Sequence, residues 1–200
     1  METSSESLTF ELSPYSVRPK KELPTTGIKG DVGHFGAVVV ERCPLHRPLA
    51  QGMDTARLTG PAFPETIFRG KRRSGRPSLF KAELTLDGRP ANLRFNARAL
   101  RKEDRALHIA YEGRDYVYTV KGLGKERVLQ REGVQVTMAP GCHVPPATTY
   151  SAGTATGPVD AVDLAIAIVL EEVDTDALTV GGAVLSSPFA LMQRWSDGAE

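Results

Sequence analysis

From Phe80 onward the chain alternates apolar and polar residues with a period of two. Phe80, Ala82, Leu84 and Leu86 interleave with Lys81, Glu83 and Thr85, the pattern of a strand buried on one face. Asp87-Gly-Arg-Pro90 is turn chemistry. Ala91, Leu93, Phe95 and Ala97 then alternate with Asn92, Arg94, Asn96 and Arg98, which predicts a hairpin. The rhythm continues through strands at Leu107–Tyr111, Tyr116–Lys121, Glu126–Arg131 and Val134–Met138, with Gly-containing turns between them. Short strands at such even spacing predict an antiparallel meander, closed or nearly closed.

The period changes at Asp160. Of the ten residues from Ala161 to Leu170, nine are apolar, and they cover every face of a helix. Such a helix must be buried all round, yet it falls short of the roughly 20 residues that cross a bilayer. Asp160 is placed to cap the first turn, and Asp163 suits the positive end of the helix dipole. The inside of a closed barrel is a place where such a helix can be covered. The expected fold is therefore mainly β: an antiparallel β-barrel of about 10–12 strands enclosing a hydrophobic C-terminal helix near residues 160–173.

The remaining segments are less patterned. Residues 1–30 read as an extended N-terminal arm with a short strand at Leu8–Leu12, residues 31–180 as the barrel, and residues 181–200 as a tail or hairpin packed on it. Gly27, Gly30, Gly33 and Gly36 lack phosphate-loop spacing and read as a flexible entry into a strand at Phe35–Val40. Residues 41–66 read as a Pro-rich irregular connection, Arg69–Arg76 as a basic loop, and residues 139–158 as a long loop before the helix.

The meander from about Phe80 to Met138, the run Asp163-Leu-Ala-Ile-Ala-Ile-Val-Leu170 and the acidic Glu171-Glu-Val-Asp174 after it together resemble the tubby C-terminal-like superfamily. That group includes the LURP-one-related proteins and the phospholipid scramblases. The resemblance spans about residues 30–178. It implies a barrel threaded by a hydrophobic helix, phosphoinositide binding by cations on the barrel surface and, for scramblase-like members, calcium beside the helix. The chain departs from the group in carrying more than twenty residues after the helix, and in its Pro-rich 139–158 stretch.

Composition narrows the function. The formal net charge of +1 argues against a bulk electrostatic attraction to nucleic acid, and no aromatic residue interrupts Arg69–Leu79 to stack on bases. The charge is unevenly spread: twelve Lys or Arg against four acids from Arg69 to Arg105, then six acids and no Lys or Arg from Gly133 to Gln193. Two cysteines make no disulfide framework, the N-terminal residues do not read as a signal peptide, and no transmembrane run is present. These features point to a cytoplasmic protein, peripheral to a membrane if it meets one at all.

Several residue sets carry candidate chemistry. Arg69, Lys71, Arg72, Arg73 and Arg76 form the anion-binding candidate, because guanidinium groups engage phosphate in bidentate fashion. Arg94, Arg98 and Arg101 extend it. Cys43, His46, Cys142 and His143 match no zinc spacing, and Cys142 beside His143 lacks the cross-site geometry of an activated thiol. His34 and His108 stand on other segments. Glu171, Glu172, Asp174 and Asp176 lack the EF-hand pattern and read as a solvated acidic helix end. The expected function is a non-catalytic binding or scaffold protein without cofactor or metal, engaging an anionic phospholipid or an acidic protein partner through the basic residues. Two alternatives are a small-molecule barrel or enzyme with a pocket at the barrel mouth, and a subunit that oligomerises through Val180–Trp195.

Overall fold

The computed structural model describes residues 7–17, 25–44, 52–96, 105–121, 126–141, 143–144, 147–148 and 150–179. The strands are β1 (Leu8–Val17), β2 (Thr25–Asp31), β3 (Ala37–Pro44), β4 (Met53–Thr59), β5 (Thr66–Arg73), β6 (Arg76–Pro77), β7 (Glu83–Leu86) and β8 (Arg89–Phe95). They continue as β9 (Leu107–Tyr111), β10 (Arg114–Lys121), β11 (Glu126–Arg131), β12 (Val134–Pro140), β13 (His143–Val144), β14 (Ala147–Thr148) and β15 (Ser151–Thr156). The helix α1 (Ala161–Val169) follows and tightens into a 3-10 turn at Leu170–Glu172.

Twelve strands close into one antiparallel ring, in the order β1-β2-β3-β4-β5-β7-β8-β9-β10-β11-β12-β15 and back to β1. Neighbours in the ring follow one another in the chain, apart from the short insertions β6 and β13–β14. Three of the hairpins turn on a residue-glycine pair with both φ angles positive: Ser74-Gly75, Asp87-Gly88 and Glu112-Gly113. This is the mirror-image turn whose twist matches that of the strands it joins.

A twelve-strand barrel is wider than its own side chains can fill, and α1 occupies the space. Every residue from Asp163 to Leu170 is buried, in one core with Leu12, Val40, Leu58, Phe68, Leu86, Ile109 and Val136 from the inward faces of the strands. At the helix start Asp160 accepts from the backbone N–H groups of Val162 and Asp163, while the Asp163 carboxylate accepts from the Asp160 N–H. The expected cap is thus a reciprocal capping box.

Several segments differ from expectation. Residues 53–59, inside the supposed irregular connection, are strand β4, and residues 151–156, inside the supposed loop, are β15. The stretch read as an arm contributes β1 and β2 to the ring, and Gly27 and Gly30 are strand residues of β2. The basic residues 69–76 are no loop but the end of β5, a two-residue turn and β6. The strand expected from Phe80 starts at Glu83, because Lys81 sits at φ 52°. The hairpin expected after Gly182 lies outside the described residues.

β15 was hidden by its composition, Ser-Ala-Gly-Thr-Ala-Thr. Its inward Gly153 pairs with Phe10 across the β1–β15 ladder. A Cβ at Gly153 would lie 2.1 Å from Phe10 Cζ, so the ring of Phe10 fills the place of the missing side chain.

Two substitutions test this architecture. Ile166→Asp would bury an unpaired charge at a fully buried position, a change that costs at least about 3–5 kcal/mol. We expect no cooperative thermal transition; a soluble, cooperatively melting variant would contradict the enclosed helix. Gly153→Ala should cost about 1–3 kcal/mol through overpacking against Phe10. In a double-mutant cycle, Phe10→Ala should relieve part of that cost, and strictly additive losses would refute the pairing.

Candidate functional site

The five basic residues expected to act together are divided by the strand they stand on. Along β5, Thr66, Phe68 and Gly70 are buried while Arg69 and Lys71 are exposed on the outer wall. Neither Arg69 nor Lys71 makes an ion pair or side-chain hydrogen bond with the described residues. Arg72 donates Nε and a terminal nitrogen to the carboxylate of Asp54, at 2.7–2.9 Å, and Asp54 is buried. Arg73 Nε stands 3.6 Å from Asp174. Arg76 donates to the Glu171 carbonyl at 3.4 Å and to the Tyr150 hydroxyl, with its guanidinium over the Tyr150 ring. The set therefore serves two purposes: Arg72, Arg73 and Arg76 hold one mouth of the barrel, and Arg69 and Lys71 face outward.

That mouth surrounds the C-terminal end of the helix. The chain between β6 and β7 tucks in over it. The Asp174 N–H donates to the Pro77 carbonyl at 2.8 Å, Ser78 forms a bridge with Asp174, and the Ser78 hydroxyl donates to the Lys71 carbonyl. Ser78 approaches so closely that a Cβ at Gly70 would lie 2.0 Å from its carbonyl oxygen.

Glu171, Glu172 and Asp174 are buried here, at 0%, 1% and 8% exposure, which corrects the reading of a solvated acidic helix end. Glu171 accepts from Arg127 at 3.2 Å, and Glu172 lies 2.5 Å from Arg42 Nε. Burial pushes both glutamates above the ordinary carboxyl range, and the guanidinium groups of Arg127, Arg42 and Arg76 pull against it without prevailing. Burial also raises the phenol of Tyr118 beside Glu171, and Tyr118 stays neutral. A cleft of about 180 Å³ opens at this mouth, lined by Ser74, Arg76, Arg127, Asp174, Thr175 and Asp176 among others.

The opposite end holds the helix N-terminus. Arg131 clamps Asp163 through Nε at 2.7 Å and a terminal nitrogen at 2.8 Å, Tyr116 donates to the same carboxylate at 3.1 Å, and Arg114 pairs with Asp160 at 2.5 Å. Burial raises the Asp160 carboxyl, but the Asp163 N–H and the Arg114 guanidinium hold it below its ordinary value. Tyr116 is pushed up to about 12, chiefly by burial. Every partner at this end is accounted for, so it reads as structural.

The outer wall carries the remaining candidates. Arg94 and His108 stand opposite each other on β8 and β9, both exposed, and line a shallow groove of 360 Å³ with Asn92 and Asp115. Arg98 and Arg101 lie outside the described residues, as do His46, Cys142 and the side chains of Cys43 and His143. Among the described residues no group of three His, Cys, Asp or Glu is placed to hold a metal ion, and no helix is long and apolar enough to cross a membrane. His34 is exposed in a 3-10 turn away from these groups.

The parity of β5 was available in the sequence: with Phe68 inward, Arg69 and Lys71 must point out. The roles of Arg42 and Arg127 were not, because both act on the helix end from distant strands. No protein-family model matches the chain, and no curated protein or solved structure matches it significantly.

The buried glutamates predict a pH dependence. A carboxyl raised in the folded state binds its proton more tightly there than in the unfolded chain. Its stabilising contribution is complete below the ordinary glutamate value of 4.5 and is lost as pH rises through the folded-state value. The Glu171→Gln, Glu172→Gln double variant should therefore lose less melting temperature than the parent between pH 5 and pH 8. Parallel melting curves for parent and variant across that range would refute it.

Proposed function

We propose that this protein is a non-catalytic binding module of tubby-like type that meets an anionic phospholipid surface through the outer wall around β5, with Arg69 and Lys71 as its contact residues. The observation that carries the reading is the division of the basic cluster. Three of its cations are committed to acids, a carbonyl and a tyrosine of the barrel mouth, and the other two, Arg69 and Lys71, are exposed with no side-chain partner among the described residues. Unpaired cations on a rigid strand are pre-organised for phosphate, since no internal ion pair must break first. The helix adds support by filling the lumen. With Leu164 through Leu170 all buried, little room is left inside the ring, and a surface reading gains over an enclosed ligand.

The reading is tested by sedimentation with liposomes of graded anionic content at low and moderate salt. Arg69→Ala with Lys71→Ala should weaken binding by roughly tenfold or more, at about 1 kcal/mol per cation near an anionic membrane. Lys29→Ala, which removes an exposed charge from β2, should change it far less. Binding should fall with added salt. No binding at any lipid composition, or equal loss in the two variants, would defeat the proposal; in the first case an acidic protein partner becomes the next candidate.

A further inference from the structure

The barrel wall parts between β7 and β8. Their pairing runs only from Leu86↔Arg89 to Leu84↔Ala91, and beyond it the two chains separate. The cause lies at Phe80–Lys81: Lys81 has φ 52°, and the Lys71 N–H bonds to the Phe80 carbonyl at 2.9 Å, so residues 79–82 leave the strand path and β7 starts late. β8 stays in the ring by pairing with β9 as far as Phe95↔Leu107. Its inward residues Leu93 and Phe95 are consequently only half-buried.

A cleft of 530 Å³ occupies the gap, lined by Leu79, Lys81, Ala82, Leu93, Arg94, Phe95 and Leu107. Leu79 and Leu107 are fully buried and form its floor. Phe80 meets Phe95 edge-to-face across the gap, with ring centroids 5.8 Å apart. Five of the seven lining residues are apolar. The two polar ones, Lys81 and Arg94, are both cations, both exposed, and without an ion-pair or hydrogen-bond partner among the described residues. The volume falls within the range of small-molecule sites, which pair apolar walls with a few placed polar groups.

We propose that this cleft binds a monomeric single-chain amphiphile with an anionic head, a long-chain carboxylate. Its alkyl chain lies along Leu93, Ala82 and Phe95 over the Leu79–Leu107 floor, and its head is held by Lys81 and Arg94. Apolar walls alone would accept any hydrocarbon; the two cations among the lining residues select the charge. The site differs from the contact residues Arg69 and Lys71, so either can fail without the other.

The test is calorimetric titration of the full chain with laurate below its micellar concentration, beside dodecanol, which has the same chain and a neutral head, and acetate, which has the head alone. Laurate should bind at least tenfold more tightly than either. Lys81→Gln with Arg94→Gln should remove that preference for laurate and leave dodecanol unchanged. Both substitutions are at exposed positions and should leave the melting temperature near that of the parent. Leu93→Trp, which fills the cleft, should weaken laurate and dodecanol together. Laurate binding no tighter than dodecanol, or undiminished in the charge variant, would overturn the proposal. So would binding to anionic vesicles with none to free laurate, since that places the anion contact on a membrane surface and not in this cleft.

Discussion

A nine-residue helix without a polar stripe can meet charge only at its two ends, and both mouths of this barrel are organised by that constraint. At the N-terminal end the capping box of Asp160 and Asp163 satisfies backbone donors, and Arg114 and Arg131 neutralise the carboxylates that do so. At the C-terminal end the dipole is negative, and Glu171 and Glu172 add two buried carboxyl groups whose charged form the dipole disfavours. Arg42, Arg76 and Arg127 converge on that end from β3, β6 and β11. Charge pairs of this kind need not stabilise a fold relative to apolar residues, but removing one partner leaves the other buried and unpaired. The arginines are therefore tied to the helix as firmly as the apolar lining is.

The same constraint sets the wall. Enclosing a helix needs more strands than enclosing side chains alone, and twelve strands in chain order achieve this with tight turns and few long connections. The ring is not uniform. The missing side chain of Gly153 makes room for Phe10, and the late start of β7 leaves β8 with an open side. Each irregularity has a local cause in residue size or backbone angle, and only the second creates a surface able to receive another molecule.

Much of this architecture was legible because large apolar residues alternate from Leu84 to Met138 and then occupy every face at Ala161–Leu170. The barrel and its helix follow from those two periods. Strands β4 and β15 were not legible: β4 lies among prolines, and β15 presents serine, glycine and alanine to the interior because Phe10 supplies the missing bulk. The charged residues were harder still. Composition groups Arg69 to Arg76 into one patch, whereas strand parity and the distant acids Asp54 and Asp174 divide it. Glu171-Glu172 looks solvated in one dimension, since nothing near it in sequence announces Arg42 or Arg127.

That division has a consequence for where function can reside. Residues of the mouths are bound to the helix, so substitutions there change binding and folding together, and a ligand that drew on Arg76 or Arg127 would have to release Glu171. The outer wall has no such duty. Arg69, Lys71, Lys81 and Arg94 are exposed on strands or bulges that the core already holds in place. They can be exchanged at little structural cost, because surface substitutions away from caps, ion pairs and the core usually shift stability by about 0.5 kcal/mol or less. A barrel stapled through its ends and free on its flank is one whose binding properties can be altered without unfolding it.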